Sequence, residues 1–107
     1  MKNIPSPSGC ADILKAVGDA TRLQVLQLLL EAPQHVGDLQ AKLNVEQSLL
    51  SHHLKVLREA GLVLAERDGK AVRYRISPEV KGTGSGIDLK CCQVTFHPVL
   101  LRGRKSP

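Results

Sequence analysis

The stretch that spans residues 36–76, VGDLQAKLNVEQSLLSHHLKVLREAGLVLAERDGKAVRYRI, decides the fold of this chain. Apolar residues at helical spacing predict a short helix over 36–43 and a longer one over 46–60, joined by a tight turn at 44–45. Gly61 is a typical C-terminal stop for the longer helix. The inward positions predicted for that helix are all leucines: Leu49, Leu50, Leu54 and Leu57. Two helices joined by so short a turn indicate a helix-turn-helix.

Past the second helix, the apolar period changes from that of a helix to that of a strand. Residues 63–67 and 72–76 each alternate in polarity, and Asp68-Gly69 between them is a strong signal for a hairpin turn. The sequence therefore predicts a two-stranded wing that follows the helix pair directly.

Two more helices are predicted ahead of this stretch. The segment 11–17 has apolar residues at helical spacing, which predicts a short first helix. Asp19 is a suitable N-cap for a helix over 20–31, which is apolar nearly all round, belongs in the core and ends before Pro33. One Phe, one Tyr and no Trp leave the core to aliphatic side chains. The expected fold class is mainly α with a small β-hairpin wing, a winged helix-turn-helix.

The predicted winged helix-turn-helix domain covers residues 11–80. Ahead of it, residues 1–10 are rich in proline and serine and are predicted to form a flexible N-terminal arm. After it, residues 81–107 are predicted to form a linker and a C-terminal segment. Within that part, the glycine-rich stretch 81–86 is expected to be flexible, and 87–96 alternates weakly, as in a strand or an extended segment.

The outer surface predicted for the second helix of the pair is polar and basic. Its members are Gln47, Ser48, Ser51, His52, Lys55 and Arg58, and the wing adds Arg67, Lys70, Arg73 and Arg75. Such a helix enters the major groove with its N-terminal residues toward the base edges, while cationic side chains hold phosphates. A net charge of +5 also favours a polyanionic partner. These ten residues are therefore the predicted contacts to double-stranded DNA.

Other classes of function fit the sequence less well. No segment has the length and apolarity of a signal peptide or a membrane span, so a cytoplasmic protein without a membrane partner is expected. Thiols stay reduced there, so Cys10, Cys91 and Cys92 are expected to be free thiols or soft-metal ligands. No catalytic triad or phosphate loop is recognisable, and an enzyme is not expected. A protein-interaction winged helix would require an apolar or acidic outer face.

Residues 11–78 resemble the ArsR/SmtB family of transcriptional repressors. The resemblance rests on LKAVGDATRL at 14–23, QSLLSHHLKVLREAGLV at 47–63 and RDGKAVRYRI at 67–76. It implies a homodimeric repressor that binds operator DNA and leaves it when an inducer binds. Members of this family often carry a Cys-Val-Cys pair for thiophilic metals. The matching residues here are His35, Val36 and Gly37, so that site is absent.

The cysteines suggest a different inducer site. Cys91 and Cys92 are poor disulfide partners because their Cα atoms, about 3.8 Å apart, are closer than the usual span of about 4.4–6.8 Å. They can offer two thiolates to one soft centre, and trivalent arsenic or antimony takes three. The resemblance implies that N- and C-terminal segments meet at the dimer interface, which makes Cys10 of the partner subunit a candidate third ligand. Arsenite or antimonite is the expected inducer, with zinc, cadmium or thiol oxidation as alternatives.

Overall fold

The computed structural model describes residues 6–96. Its helices are α1 (Pro7–Val17), α2 (Ala20–Glu31), α3 (Val36–Leu43) and α4 (Gln47–Glu59). Its strands are β1 (Gln34–His35), β2 (Val63–Asp68), β3 (Ala71–Ile76), β4 (Lys81–Gly82), β5 (Gly86–Asp88) and β6 (Gln93–Thr95). The strands form two antiparallel sheets, in the orders β1-β3-β2 and β4-β5-β6. The predicted winged helix-turn-helix is confirmed.

The first helix begins earlier than the sequence predicted. Ser6 is its N-cap and accepts a hydrogen bond from the backbone N–H of Gly9 at 3.1 Å, while Pro7 occupies the first helical turn. Residues 7–10 are therefore helical and do not belong to a flexible arm. The remainder of the predicted arm, residues 1–5, lies outside the described residues.

The second helix is the centre of the core, as predicted. The Asp19 carboxylate caps it by accepting from the backbone N–H of Arg22 at 3.1 Å. Val25 and Leu26 are fully buried, and Leu29 is nearly so. The helix contacts α1, α3, α4 and β3, so one element organises the packing of the domain.

The turn and the orientation of α4 follow the prediction with one exception. Asn44 adopts the left-handed conformation with φ 53°, which turns the chain sharply between α3 and α4. Leu50, Leu54 and Leu57 are buried as expected. Leu49 was expected to face inward and is 46% exposed, so that prediction is wrong. It lies one residue before Leu50, and successive residues of a helix point about 100° apart.

The wing forms where the sequence predicted a hairpin, but its turn lies one residue later than the predicted Asp68-Gly69, and the hairpin gains a third strand. Strands β2 and β3 pair from Val63 opposite Ile76 to Asp68 opposite Ala71, so the loop consists of Gly69 and Lys70. Gly69 supplies the positive φ of 65° that such a loop requires. The two-residue strand β1 lies on the other side of β3 and connects the wing to the start of α3.

The second sheet changes the interpretation of the C-terminal region. Lys81 and Gly82 pair with Asp88 and Ile87, so the stretch 81–86 is a strand and a turn of a hairpin and not a flexible linker. The predicted extended character of 87–96 is confirmed where β5 and β6 form. Ile87 and Leu89 are buried in the same core as the helices, and the predicted boundary at residue 80 therefore does not separate two packing units. A side chain at Gly86 would overlap the carbonyl of Val94 in β6.

Candidate nucleic-acid interface and cysteine cluster

Helix α4 presents a continuous polar surface. Its buried side is formed by Leu50, His53, Leu54 and Leu57, and the opposite side faces solvent. All six residues predicted on this helix are exposed: Gln47, Ser48, Ser51, His52, Lys55 and Arg58. The helix therefore offers amide, hydroxyl, imidazole and cationic groups on one accessible face, as a helix that reads base edges requires.

The cations of the wing are not equivalent. Arg67 and Lys70 are exposed, and no ion pair within residues 6–96 engages them. Arg73 and Arg75 lie on the other face of the hairpin, where both contact the carboxylate of Glu66, at 3.3 Å and 2.5 Å. The hydrogen bond from Arg75 is the main cause that lowers the pKa of Glu66. Glu66 therefore stays ionised and offsets part of the positive charge of these two arginines.

His35 fastens the tip of the wing to α3. It occupies the N-cap position of that helix, and its Nε2 lies 2.7 Å from a carboxylate oxygen of Asp68, the last residue of β2. Backbone pairing of His35 with Arg73 holds the same region together. The sequence identified His35 only as the residue at a missing metal-ligand position. The signal for its role, a short extended stretch before α3, is too brief to be recognised alone.

A buried polar network connects α4 to the first two helices. His53 is only 6% exposed, and its Nδ1 accepts a hydrogen bond from the Arg22 guanidinium at 3.0 Å. Arg22 also donates to the carbonyl of Ala16 at 2.6 Å and to that of Lys15 at 3.4 Å, at the C-terminal end of α1. One side chain thus joins α1, α2 and α4. Sequence reasoning did not single out Arg22.

Ionisation inside this network follows from burial. Desolvation is the largest influence on His53 and lowers its pKa, although the nearby Asp19 opposes it. The pKa of Asp19 is lowered chiefly by the hydrogen bond from the backbone N–H of Arg22. The network therefore consists of a neutral imidazole, an arginine cation and an ionised carboxylate.

The three cysteine sulfurs lie together in a single chain. Cys10, in α1, forms a disulfide with Cys91, and their Cα atoms are 5.8 Å apart. The sulfur of Cys92 lies 3.9 Å from that of Cys91, and Cys92 is a free, partly buried thiol. The sequence favoured free thiols or soft-metal ligands over disulfides, and the structure corrects this for Cys10 and Cys91, which are bonded to each other. The expectation that Cys91 and Cys92 do not bond to each other is confirmed.

The bonded cysteines cannot hold an ion in this state. A disulfide sulfur is not a thiolate, so only Cys92 retains a thiol. Across the described part of the chain, no group of three or more His, Cys, Asp or Glu side chains is arranged to hold a metal ion. The donor set therefore fits a soft ion only after reduction, which returns three thiols to one small region.

Comparison with known proteins identifies the family. The model of bacterial regulatory proteins of the arsR family matches residues 19–64. The chain is 43% identical over 82 residues to the transcriptional activator HlyU of Vibrio cholerae, covering 76% of each protein. It is 42% identical over 76 residues to the arsenical resistance operon repressor of Escherichia coli K12, covering 70% of this chain and 65% of that protein.

A solved structure agrees with these relatives. The homodimeric winged helix-turn-helix DNA-binding domain Mb0332 of Mycobacterium bovis, described as a possible ArsR-family regulator, superposes with a TM-score of 0.64 at 32% identity and covers 67% of each chain. No helix within residues 6–96 has the length and apolar character needed to cross a membrane. The match over α2 to β2, the relatives and the shared fold together show that this chain belongs to the ArsR/SmtB family of winged helix-turn-helix transcription regulators.

Proposed function

We propose that this protein is a homodimeric transcriptional repressor that binds operator DNA and releases it when a thiophilic inducer, arsenite or antimonite, binds Cys10, Cys91 and Cys92. The observation that carries the choice of inducer is the gathering of three sulfurs at one place. Cys10 and Cys91 are 81 positions apart in the sequence and are nevertheless adjacent, with Cys92 beside them. All three come from one chain, so the site does not need a thiol from the partner subunit.

The DNA-binding half of the proposal rests on α4 and the wing. Six exposed polar residues of α4 would face the major groove, while Arg67 and Lys70 would hold phosphates beside it. Arg73 and Arg75 would contribute less because Glu66 already neutralises them in part. The homodimer is supported by the homodimeric Mycobacterium bovis relative, and a two-fold dimer matches half-sites about 34–36 Å apart.

The chemistry of the inducer is that of thiol exchange on a trivalent centre. Arsenous acid has three hydroxyl groups, and each is replaced by a cysteine sulfur as its thiol proton leaves with the hydroxyl as water. Three arsenic–sulfur bonds form, three arsenic–oxygen bonds break, and no electrons are transferred. Because the product needs three reduced thiols, the Cys10–Cys91 disulfide has to be reduced before the inducer binds.

A physical connection runs from the cysteines to the DNA-binding helix. Cys10 lies in α1, and the carbonyls of Ala16 and Lys15 at the other end of that helix accept from Arg22. Arg22 in turn donates to His53 on the buried side of α4. Arsenic bound at Cys10 would shift α1 and thereby the position of α4 relative to its copy in the dimer. Allosteric coupling of about 1–3 kcal/mol would weaken operator binding by roughly 5–150-fold.

The direct test is fluorescence anisotropy with a duplex from the upstream region of the gene. Reduced protein is expected to bind this duplex and to be released by arsenite. Cys91→Ser is expected to bind DNA normally and to resist release, because only two thiolates remain. Normal induction of Cys91→Ser would overturn the arsenite proposal, and failure of the reduced wild-type protein to bind any duplex would overturn the DNA-binding proposal.

A second candidate is a repressor that responds to thiol oxidation, and the Cys10–Cys91 bond favours it. The two thiols would lose two protons and two electrons to an oxidant such as hydrogen peroxide, which is reduced to water. The same assay separates the two: peroxide changes DNA affinity under this alternative, and arsenite does so under the first proposal. Release by zinc or cadmium alone would instead favour a divalent-metal sensor.

A further inference from the structure

One leucine on the proposed DNA-reading helix is left in solvent. Leu49 is 46% exposed, whereas Leu50, Leu54 and Leu57 on the same helix are at most 1% exposed. The other two large apolar side chains exposed among the described residues are Leu14 in α1 and Val72 in the wing. Leu49 is thus the apolar exception on the surface of α4.

Its position in the helix places it among the residues proposed to reach the bases. Gln47 is the first residue of α4, so Leu49 is the third and lies in the first turn. Residues three apart are neighbours on a helix surface, which puts Leu49 next to the exposed His52. The N-terminal residues of a recognition helix are the ones that contact base edges in the major groove.

The chemistry of the surroundings indicates what an apolar group can contact there. The neighbouring α4 surface and the wing carry the cations Lys55, Arg58, Arg67 and Lys70, which attract a polyanion. In the major groove of DNA, the thymine C5-methyl is the apolar group that a base edge presents. A leucine that remains in water in the free protein can bury its methyl groups against it without unpairing any polar atom.

We propose that Leu49 contacts a thymine C5-methyl in the major groove and thereby determines a preference for thymine at one position of each half-site. The inference rests on the proposed DNA-binding function and adds a base preference to it. The free energy gained by burying one methyl or methylene group corresponds to about fourfold tighter binding. The thymine methyl is therefore expected to strengthen binding by about that factor.

The test asks whether the loss of affinity on removal of one thymine methyl depends on the side chain of Leu49. A duplex is first selected from a random library by its binding to the reduced wild-type protein. Each thymine of one half-site is then replaced in turn by deoxyuridine, which lacks only the methyl group. Dissociation constants are measured for wild type and for Leu49→Ala. Leu14→Ala is the matched control, since Leu14 is a leucine of nearly equal exposure, 48%, in a different helix.

The expected result is a loss of about fourfold at one thymine position for wild type and for Leu14→Ala, with no loss there for Leu49→Ala. Equal losses in all three proteins at every position would overturn the inference while leaving DNA binding intact. The molar mass of each protein in solution is also measured by sedimentation. An altered mass of Leu49→Ala, with the same loss of affinity as wild type at every thymine position, would likewise overturn the inference, because Leu49 would then lie at a contact between protein chains. Failure to select any duplex would contradict the proposed function itself.

Discussion

The guanidinium of Arg22 lies 3.0 Å from Nδ1 of His53 and joins the N-terminal turn of α2 to the buried side of α4. An arginine always donates, so Nδ1 accepts and the imidazole proton is on Nε2. That nitrogen faces the carboxylate of Asp19 at 3.9 Å. The position of the proposed recognition helix therefore depends on a histidine that stays neutral.

Protonation of His53 is expected to destabilise the protein. Because burial lowers the pKa of His53 below its usual 6.5, the unfolded chain binds this proton more readily than the folded one. The contribution of neutral His53 to the free energy of unfolding is fully present above pH 6.5 and is lost as the pH falls through the lowered pKa of the folded state. Thermal unfolding followed between pH 8 and pH 5 should show this loss. His53→Asn should weaken the dependence in that window, whereas His52→Asn should change it much less, because the charge of the exposed His52 is the smallest of the influences on the pKa of His53.

The two adjacent leucines at the start of α4 should differ in their contribution to stability. Leu50→Ala leaves a cavity in the core and is expected to lower the free energy of unfolding by about 2–5 kcal/mol. Leu49→Ala removes a half-exposed side chain and should change it by about 0.5 kcal/mol. Urea denaturation of the two variants measures the difference. Equal losses would mean that both side chains belong to the core.

Reduction of the Cys10–Cys91 disulfide should lower stability even without an inducer. The bond closes a loop between positions separated by 81 residues, which restricts the unfolded chain. Its loss is expected to lower the free energy of unfolding by about 2–4 kcal/mol. Denaturation with and without a phosphine reductant tests this. Cys92→Ser should respond to the reductant as wild type does, and Cys10→Ser should not respond; a response in Cys10→Ser would contradict the pairing.

The arginines of the wing should differ in their influence on salt-dependent DNA binding. In the proposed homodimer, Arg67→Ala removes one phosphate contact from each protomer and is expected to reduce the slope of log affinity against log salt by about two. Arg75→Ala should reduce it less, because Glu66 already offsets the charge of Arg75. Anisotropy titrations at several salt concentrations provide the slopes. A larger reduction for Arg75→Ala would show that Glu66 does not compete with the phosphates.

Much of the fold can be predicted from short stretches of sequence. The Asp19 cap, the turn at Asn44 and the hairpin at Gly69 each depend on residues within a few positions, so local backbone preferences are enough to predict them. The same holds for the exposed polar surface of α4, which follows from the helical period. These features also carry the family resemblance.

Other features depend on contacts between distant parts of the chain. Leu49 and Leu50 are adjacent leucines on α4, and the packing of α4 against α1, α2 and β2 buries Leu50 and leaves Leu49 46% exposed. The pairing of Glu66 with Arg73 and Arg75 follows from the register of β2 on β3. The alternation of charged residues along each strand does not by itself predict which charged side chains form ion pairs.

The sequence by itself determined the order of the four helices and the two wing strands, the helix-turn-helix and its exposed polar side, because each follows from the period and capping preferences of neighbouring residues. The tertiary structure alone decided the Cys10–Cys91 pairing, the Arg22–His53 contact and the packing of the glycine-rich 81–86 stretch as a hairpin. Glycine-rich composition suits a free linker and a tight turn equally. Which one forms depends on burial of Ile87 and Leu89 in a core built by residues far away in the chain.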